Sequence, residues 1–86
     1  MTLKELEIIV DRPLAISKSK DRGVFYVNFD GGEVKEGNCL SSEYGAGYTI
    51  TEAKKDYAKM LCGKILVFNS HKYDIRREYK IPITLK

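Results

Sequence analysis

The single histidine of this 86-residue chain, His71, follows Ser70 in the run Asn69-Ser70-His71-Lys72. A serine becomes a nucleophile when an imidazole holds its hydroxyl proton. Adjacent residues on a turn point apart, so His71 is expected as an exposed turn residue with no catalytic role. Four acids, Asp30, Glu33, Glu36 and Glu43, lie close together in a stretch dense in turn residues. Two carboxylates work as acid and base when a cleft drives their proton affinities apart. On turns and strands they are expected to stay solvated. Cys39 and Cys62 have neither Cys-x-x-Cys spacing nor a histidine at ligand spacing, so no metal site is expected. They read as buried, reduced thiols, which places the chain in the cytoplasm. With no cofactor motif and no assembled nucleophile or acid–base pair, a non-enzymatic role is expected.

Binding chemistry is more promising. Tyr44 and Tyr48 flank Gly45-Ala46-Gly47, and tyrosines on a flexible loop can anchor a protein interface or stack on bases. The glycines precede a helix start, whose free amides attract anions, but neither the dinucleotide spacing nor the phosphate-loop lysine is present. Tyr44, Gly45, Gly47 and Tyr48 are therefore the expected partner-binding residues. The cations fall into three groups: Lys18, Lys20 and Arg22; Lys54, Lys55 and Lys59; and Lys72, Arg76, Arg77 and Lys80. Phosphate binding needs several of them on one face. Arg76 and Arg77 project to opposite sides of a strand. The alternative, a nucleic-acid surface, would use Lys54, Lys55, Lys59, Arg76 and Lys80.

The elements that must position these residues follow from periodicity and punctuation. Thr2-Leu3-Lys4-Glu5 has the form of a capping box, and Leu3, Leu6 and Val10 make one face of a short helix that ends before Pro13. Leu14 to Ser17 reads as a strand. Val24 to Asp30 reads as a second, with Phe25, Val27 and Phe29 inward. Asp30-Gly31-Gly32 is a tight turn, and Glu33 to Ser42 returns as a third strand with a bulge at Gly37. These three strands are expected to form a meander. Thr49-Ile50-Thr51-Glu52 repeats the capping form ahead of a helix whose stripe is Ile50, Ala53, Tyr57, Met60 and Leu61. Gly63 stops it. Ile65 to Phe68 is an apolar run typical of a strand covered on both faces. A turn spans Asn69 to Asp74. From Ile75 to Leu85 apolar residues alternate with polar ones as a long strand, interrupted by Pro82, which marks an edge or an exit from the sheet.

Length and composition bound the rest. The chain is 43% apolar and 31% charged, the balance of one globular domain over residues 1–86. No apolar run reaches the roughly 18 residues of a membrane helix, and no signal-peptide pattern opens the chain. A membrane partner is not expected. Net charge is +3, but residues 1–43 carry six Lys/Arg against eight Asp/Glu, and residues 44–86 carry nine against four. The expected architecture is α+β: a short N-terminal helix and a curled antiparallel sheet, a three-stranded meander plus C-terminal strands, packed by one amphipathic helix.

Two resemblances rest on short motifs. The order α-β-β-β-α over residues 2–61, with Gly45-Ala46-Gly47 followed by Thr49, Glu52-Ala53-Lys54 and Ala58, resembles the double-stranded RNA-binding domain. That family grips phosphates with lysines at the start of its last helix. Ile50 and Thr51 occupy the two leading positions here and Lys54 remains; the family's Gly-Pro-x-His loop is absent. Residues 24–61 are similar to the HicB-type antitoxin fold, whose Gly-x-Thr-x-x-Glu-Ala helix entry is matched by Gly47, Thr49, Glu52 and Ala53. That resemblance implies a protein that works by covering a toxin. The overall pattern is also similar to small phage or gut-bacterial proteins. The leading expectation is a protein-binding module that blocks or sequesters a larger partner by loop anchoring or strand addition, the latter also allowing a homodimer.

Overall fold

The computed structural model describes residues 1–86. Helix α1, Leu3–Val10, starts at the Thr2–Glu5 capping box: the Thr2 hydroxyl accepts the Glu5 N–H, and the Glu5 carboxylate accepts the Thr2 N–H. It ends at Asp11, which takes the left-handed conformation two residues before Pro13. Leu3, Leu6 and Val10 are buried as the spacing requires. Helix α2, Ile50–Leu61, is capped by Thr49, which accepts the Glu52 N–H at 3.1 Å, one half of the expected box. Its buried stripe is Ala53, Tyr57, Ala58 and Leu61. Ile50 is 39% exposed and Met60 is half-buried.

The chain is α+β with antiparallel strands throughout, and the strands divide into two sheets. Strands β1 (Leu14–Lys18), β2 (Phe25–Phe29) and β5 (Gly45–Gly47) form one sheet in the order β1-β2-β5. Strands β3 (Gly32–Glu36), β4 (Cys39–Ser41), β6 (Ile65–Phe68) and β7 (Arg77–Lys80) form the other in the order β4-β3-β6-β7. The meander expected of β1, β2 and β3 therefore breaks after β2. Gly31, at a φ of +76°, turns the chain out of the first sheet, and β3 pairs instead with β6. The expected third strand is likewise two strands, β3 and β4, folded over Gly37 at a φ of +61°, so Gly37 makes a hairpin turn rather than a bulge. Five strands separate the two helices.

One core serves both sheets. Helix α2 packs on β2 and β5. Phe29, the last residue of β2, touches both halves: its ring centroid lies 5.9 Å from that of Tyr57 and 6.1 Å from that of Phe68. Arg12 clasps the corner from outside, donating to the Asp30 carbonyl at 2.7 Å while its guanidinium sits 4.5 Å from the Phe68 ring centroid. Ile65 to Phe68 is the interior strand its composition predicts, paired on both sides and buried at Leu66, Val67 and Phe68.

The long C-terminal strand does not form. Only Arg77–Lys80 joins the ladder, as an edge. Pro82 has no N–H to continue it. The alternation fails with it: Ile81 and Leu85 enter the core, but Ile83 between them is 82% exposed and Ile75 is 47% exposed. Both cysteines are free; Cys62 is half-buried, but Cys39 is exposed on β4, contrary to the expectation of two buried thiols. No helix is long and apolar enough to cross a membrane.

Candidate functional site

The segment expected as a flexible tyrosine–glycine loop is strand β5. Its glycines serve close approach rather than mobility. A Cβ on Gly45 would lie 2.3 Å from the Ala53 carbonyl oxygen, and one on Gly47 would lie 2.7 Å from the Ala53 nitrogen. Only glycine lets this strand lie against the backbone of α2. Gly45 is buried and Gly47 half-buried, so Gly45 is corrected from a partner-contacting residue to a packing residue. On the outward side of β5 the Ala46 N–H donates to the Asp56 carboxylate at 2.9 Å.

The two tyrosines flank that strand. Tyr44, 54% exposed, packs edge-on against Tyr26 with ring centroids 5.1 Å apart and planes at 87°. Tyr26 lies between the inward Phe25 and Val27, so its side chain leaves the sheet on the face away from α2. Ser17 and Ala46 sit directly opposite it on β1 and β5. Both are small, and Tyr26 is half-buried. Ser17, Tyr26, Asn28 and Tyr44 line a shallow depression of about 310 Å³. Tyr48, 73% exposed, follows β5 and lies outside that lining. Sequence reasoning missed Tyr26, although the alternation that turned Phe25 and Val27 inward already turned it outward.

Two of the five cations of the alternative surface line one groove. Lys54 and Lys55 line a groove of about 450 Å³ between α1, β1 and α2, joined there by Lys4 and Lys86 and by one acid, Glu7. Lys59, Arg76 and Lys80 are not part of it. Arg76 is held by Glu78, its Nε donating at 2.9 Å and its second nitrogen at 2.8 Å.

A polar cleft of about 450 Å³ does collect Asp30, Glu33 and His71, together with Asn28 and Ser42. Glu36 and Glu43 are elsewhere: Glu36 faces Lys64 at 3.8 Å, and Glu43 accepts from Ser41 at 3.0 Å. The Ser70 hydroxyl donates to the Glu33 carboxylate. His71 Nδ1 lies 3.5 Å from the same hydroxyl, beyond the reach a general base needs. The two side chains are nearer than neighbours pointing apart, yet the imidazole does not hold the serine proton. No three His, Cys, Asp or Glu side chains stand close enough to share a metal ion.

Among known proteins, no family model, no curated sequence and no solved structure matches this chain.

Proposed function

We propose that this chain is a non-enzymatic protein-binding module of the cytoplasm. It acts by covering or sequestering a larger partner, in the manner of an antitoxin or a phage inhibitor. The observation that carries this reading is the Tyr26–Tyr44 pair on the sheet face that α2 leaves uncovered. Tyrosine brings a large, stiff, amphipathic surface to an interface at low entropic cost, and such residues dominate binding energy. The small residues beside Tyr26 leave room for a partner side chain to lie on the ring.

The nucleic-acid reading has less support. Stacked bases need cations beside the rings to hold the backbone, and the lining of the tyrosine depression contains none. Two of the five expected cations, Lys54 and Lys55, line the groove by α1, and none lines the tyrosine depression.

The test is affinity capture from a cytoplasmic extract with the wild-type chain, a Tyr26→Ala/Tyr44→Ala variant and a Lys72→Ala control, each first shown to keep a native amide spectrum. The reading requires a discrete protein retained by the wild type and the control and lost from the tyrosine variant. Equal retention by all three overturns the tyrosine face as the anchor.

A further inference from the structure

Strand β1 is the one edge the molecule leaves open. Each of the other three is guarded by a device of the kind that prevents stray pairing. On β5 the outward Ala46 N–H is taken by Asp56. Strand β4 is three residues long. Strand β7 is charged at Arg77, Glu78 and Lys80. Strand β1 runs five residues, Leu-Ala-Ile-Ser-Lys, with no proline and one charge.

The register shows which backbone groups are free. Ser19 N–H donates to the Val24 carbonyl at 2.8 Å just beyond the ladder. Hydrogen-bonded and non-hydrogen-bonded pairs alternate along an antiparallel ladder. The bonds to β2 therefore belong to Ala15 and Ser17, and the N–H and C=O of Leu14, Ile16 and Lys18 point outward. The side chains of those same three residues lie on the α2 side, opposite Phe29, Val27 and Phe25. Val27 is fully buried, whereas Ile16, its direct partner, is 45% exposed. The apolar layer continues to Ile16 and then stops for want of a neighbouring strand.

Leu14 is also a wall of the lysine groove, which Lys4, Lys54, Lys55 and Lys86 line against one acid, Glu7. We propose that β1 receives an extended acidic segment of a partner protein as an added antiparallel strand. In that segment the residues opposite Leu14 and Lys18 are acidic, and the residue opposite Ile16 is apolar. Main-chain pairing supplies affinity, and the groove lysines with Lys18 supply specificity. Charge disfavours a second copy in this place: pairing β1 with itself about Ile16 sets Lys18 of one copy against Leu14 of the other, beside a groove already rich in lysine.

The inference rests on the protein-binding reading and names a partner chemistry for it, at an edge that shares Ser17 with the tyrosine depression. Its probe is a capped synthetic peptide containing Glu-Thr-Val-Thr-Glu, titrated into the full chain and followed by amide NMR, with Lys-Thr-Val-Thr-Lys as control. Amide shifts are expected at Leu14, Ile16 and Lys18, growing weaker with added salt. Lys54→Glu/Lys55→Glu should weaken the acidic peptide roughly tenfold, and Ile16→Pro should abolish its binding. Proline is tolerated where the N–H faces solvent; the lysine variant, whose substitutions lie on the surface of α2, tests the site independently should Ile16→Pro fail to fold. The proposal is overturned by equal binding of the two peptides, by shifts confined to the tyrosine face, or by a concentration-dependent dimer that protects the β1 amides. Duplex RNA that occupies the lysine groove and is not displaced by the peptide overturns it as well. Failure of the peptide with intact tyrosine-dependent capture removes this site alone, whereas the converse removes the tyrosine anchor alone.

Discussion

The phenol oxygen of Tyr57 accepts the backbone N–H of Phe29 at 3.1 Å in the buried interior. This N–H lies beyond the end of β5, where no strand remains to receive it, so a side chain of α2 completes the sheet. Tyr57→Phe keeps the ring and removes the acceptor, leaving a buried donor unpaired. The expected loss of unfolding free energy is about 1–3 kcal/mol, read from urea titration, with the Phe29 amide exchanging faster than its β2 neighbours.

The same phenol makes stability depend on alkaline pH. Burial raises its pKa above the ordinary tyrosine value, and the hydrogen bond from Phe29 opposes that rise only in part. The folded chain therefore holds the proton more tightly than the unfolded one. This contribution is fully present below the unfolded value, about 10. It is lost as pH rises from there through the raised folded value, because the unfolded state ionises first. Urea midpoints measured from pH 8 upward should fall more steeply for the wild type than for Tyr57→Phe. Parallel curves would mean that the buried phenol contributes nothing to the alkaline limb.

Gly45→Ala tests the close approach of β5 to α2. The added carbon meets backbone atoms of Ala53 and Tyr57, not the movable end of a side chain. The strand must separate from the helix, at a cost of roughly 3 kcal/mol or more. Ala46→Gly, one residue along on the exposed side, is expected to cost far less. Thermal melts of the two variants decide the matter, and a mild Gly45→Ala would imply that β5 does not rest on the helix.

How much of this was legible depends on the range of each signal. Both helices follow from capping residues and three-to-four spacing within a single segment. The division into two sheets does not, because β3 takes β6 as its partner across the whole of α2, and nothing near Val34 announces Leu66. Glycine misled at β5 because it has two uses. Gly31 and Gly37 take positive φ and make turns, whereas Gly45 and Gly47 do not and serve contact. That difference exists only once the helix is in place. Lys4 and Lys86 join Lys54 and Lys55 for a similarly distant reason: the two ends of the chain pair, with the Lys86 N–H donating to the Met1 carbonyl at 2.9 Å and the Leu3 N–H to Lys86 at 3.2 Å. The outward parity of Tyr26, by contrast, was present in the strand pattern all along.

The Tyr26–Tyr44 contact adds little to stability. Half of Tyr44 is in water, and an edge-on aromatic pair adds about 0.5–1.5 kcal/mol beyond burial. Tyr44→Ala should therefore lower the unfolding free energy by about 1 kcal/mol or less while removing partner capture. A loss several times larger would reassign Tyr44 to the core, and its effect on binding would then be indirect.

Asp56 guards β5 as nothing guards β1, and its removal should expose a second open edge. Asp56→Ala frees the Ala46 N–H on a strand whose outward side then has no acceptor. An exposed bond of this kind contributes about 0.5–1.5 kcal/mol, so the fold should survive. Its solution behaviour should not. Unpaired strand edges template association, and the variant is expected to self-associate at concentrations where the wild type does not. Asp56→Asn keeps a carbonyl acceptor at the same place and should stay as dispersed as the wild type. Light scattering across a concentration series separates the three proteins, and the exchange rate of the Ala46 amide reports the bond itself. If Asp56→Ala exchanges that amide freely and yet remains dispersed, the contact with α2 alone shields β5, and the carboxylate is only a local cap.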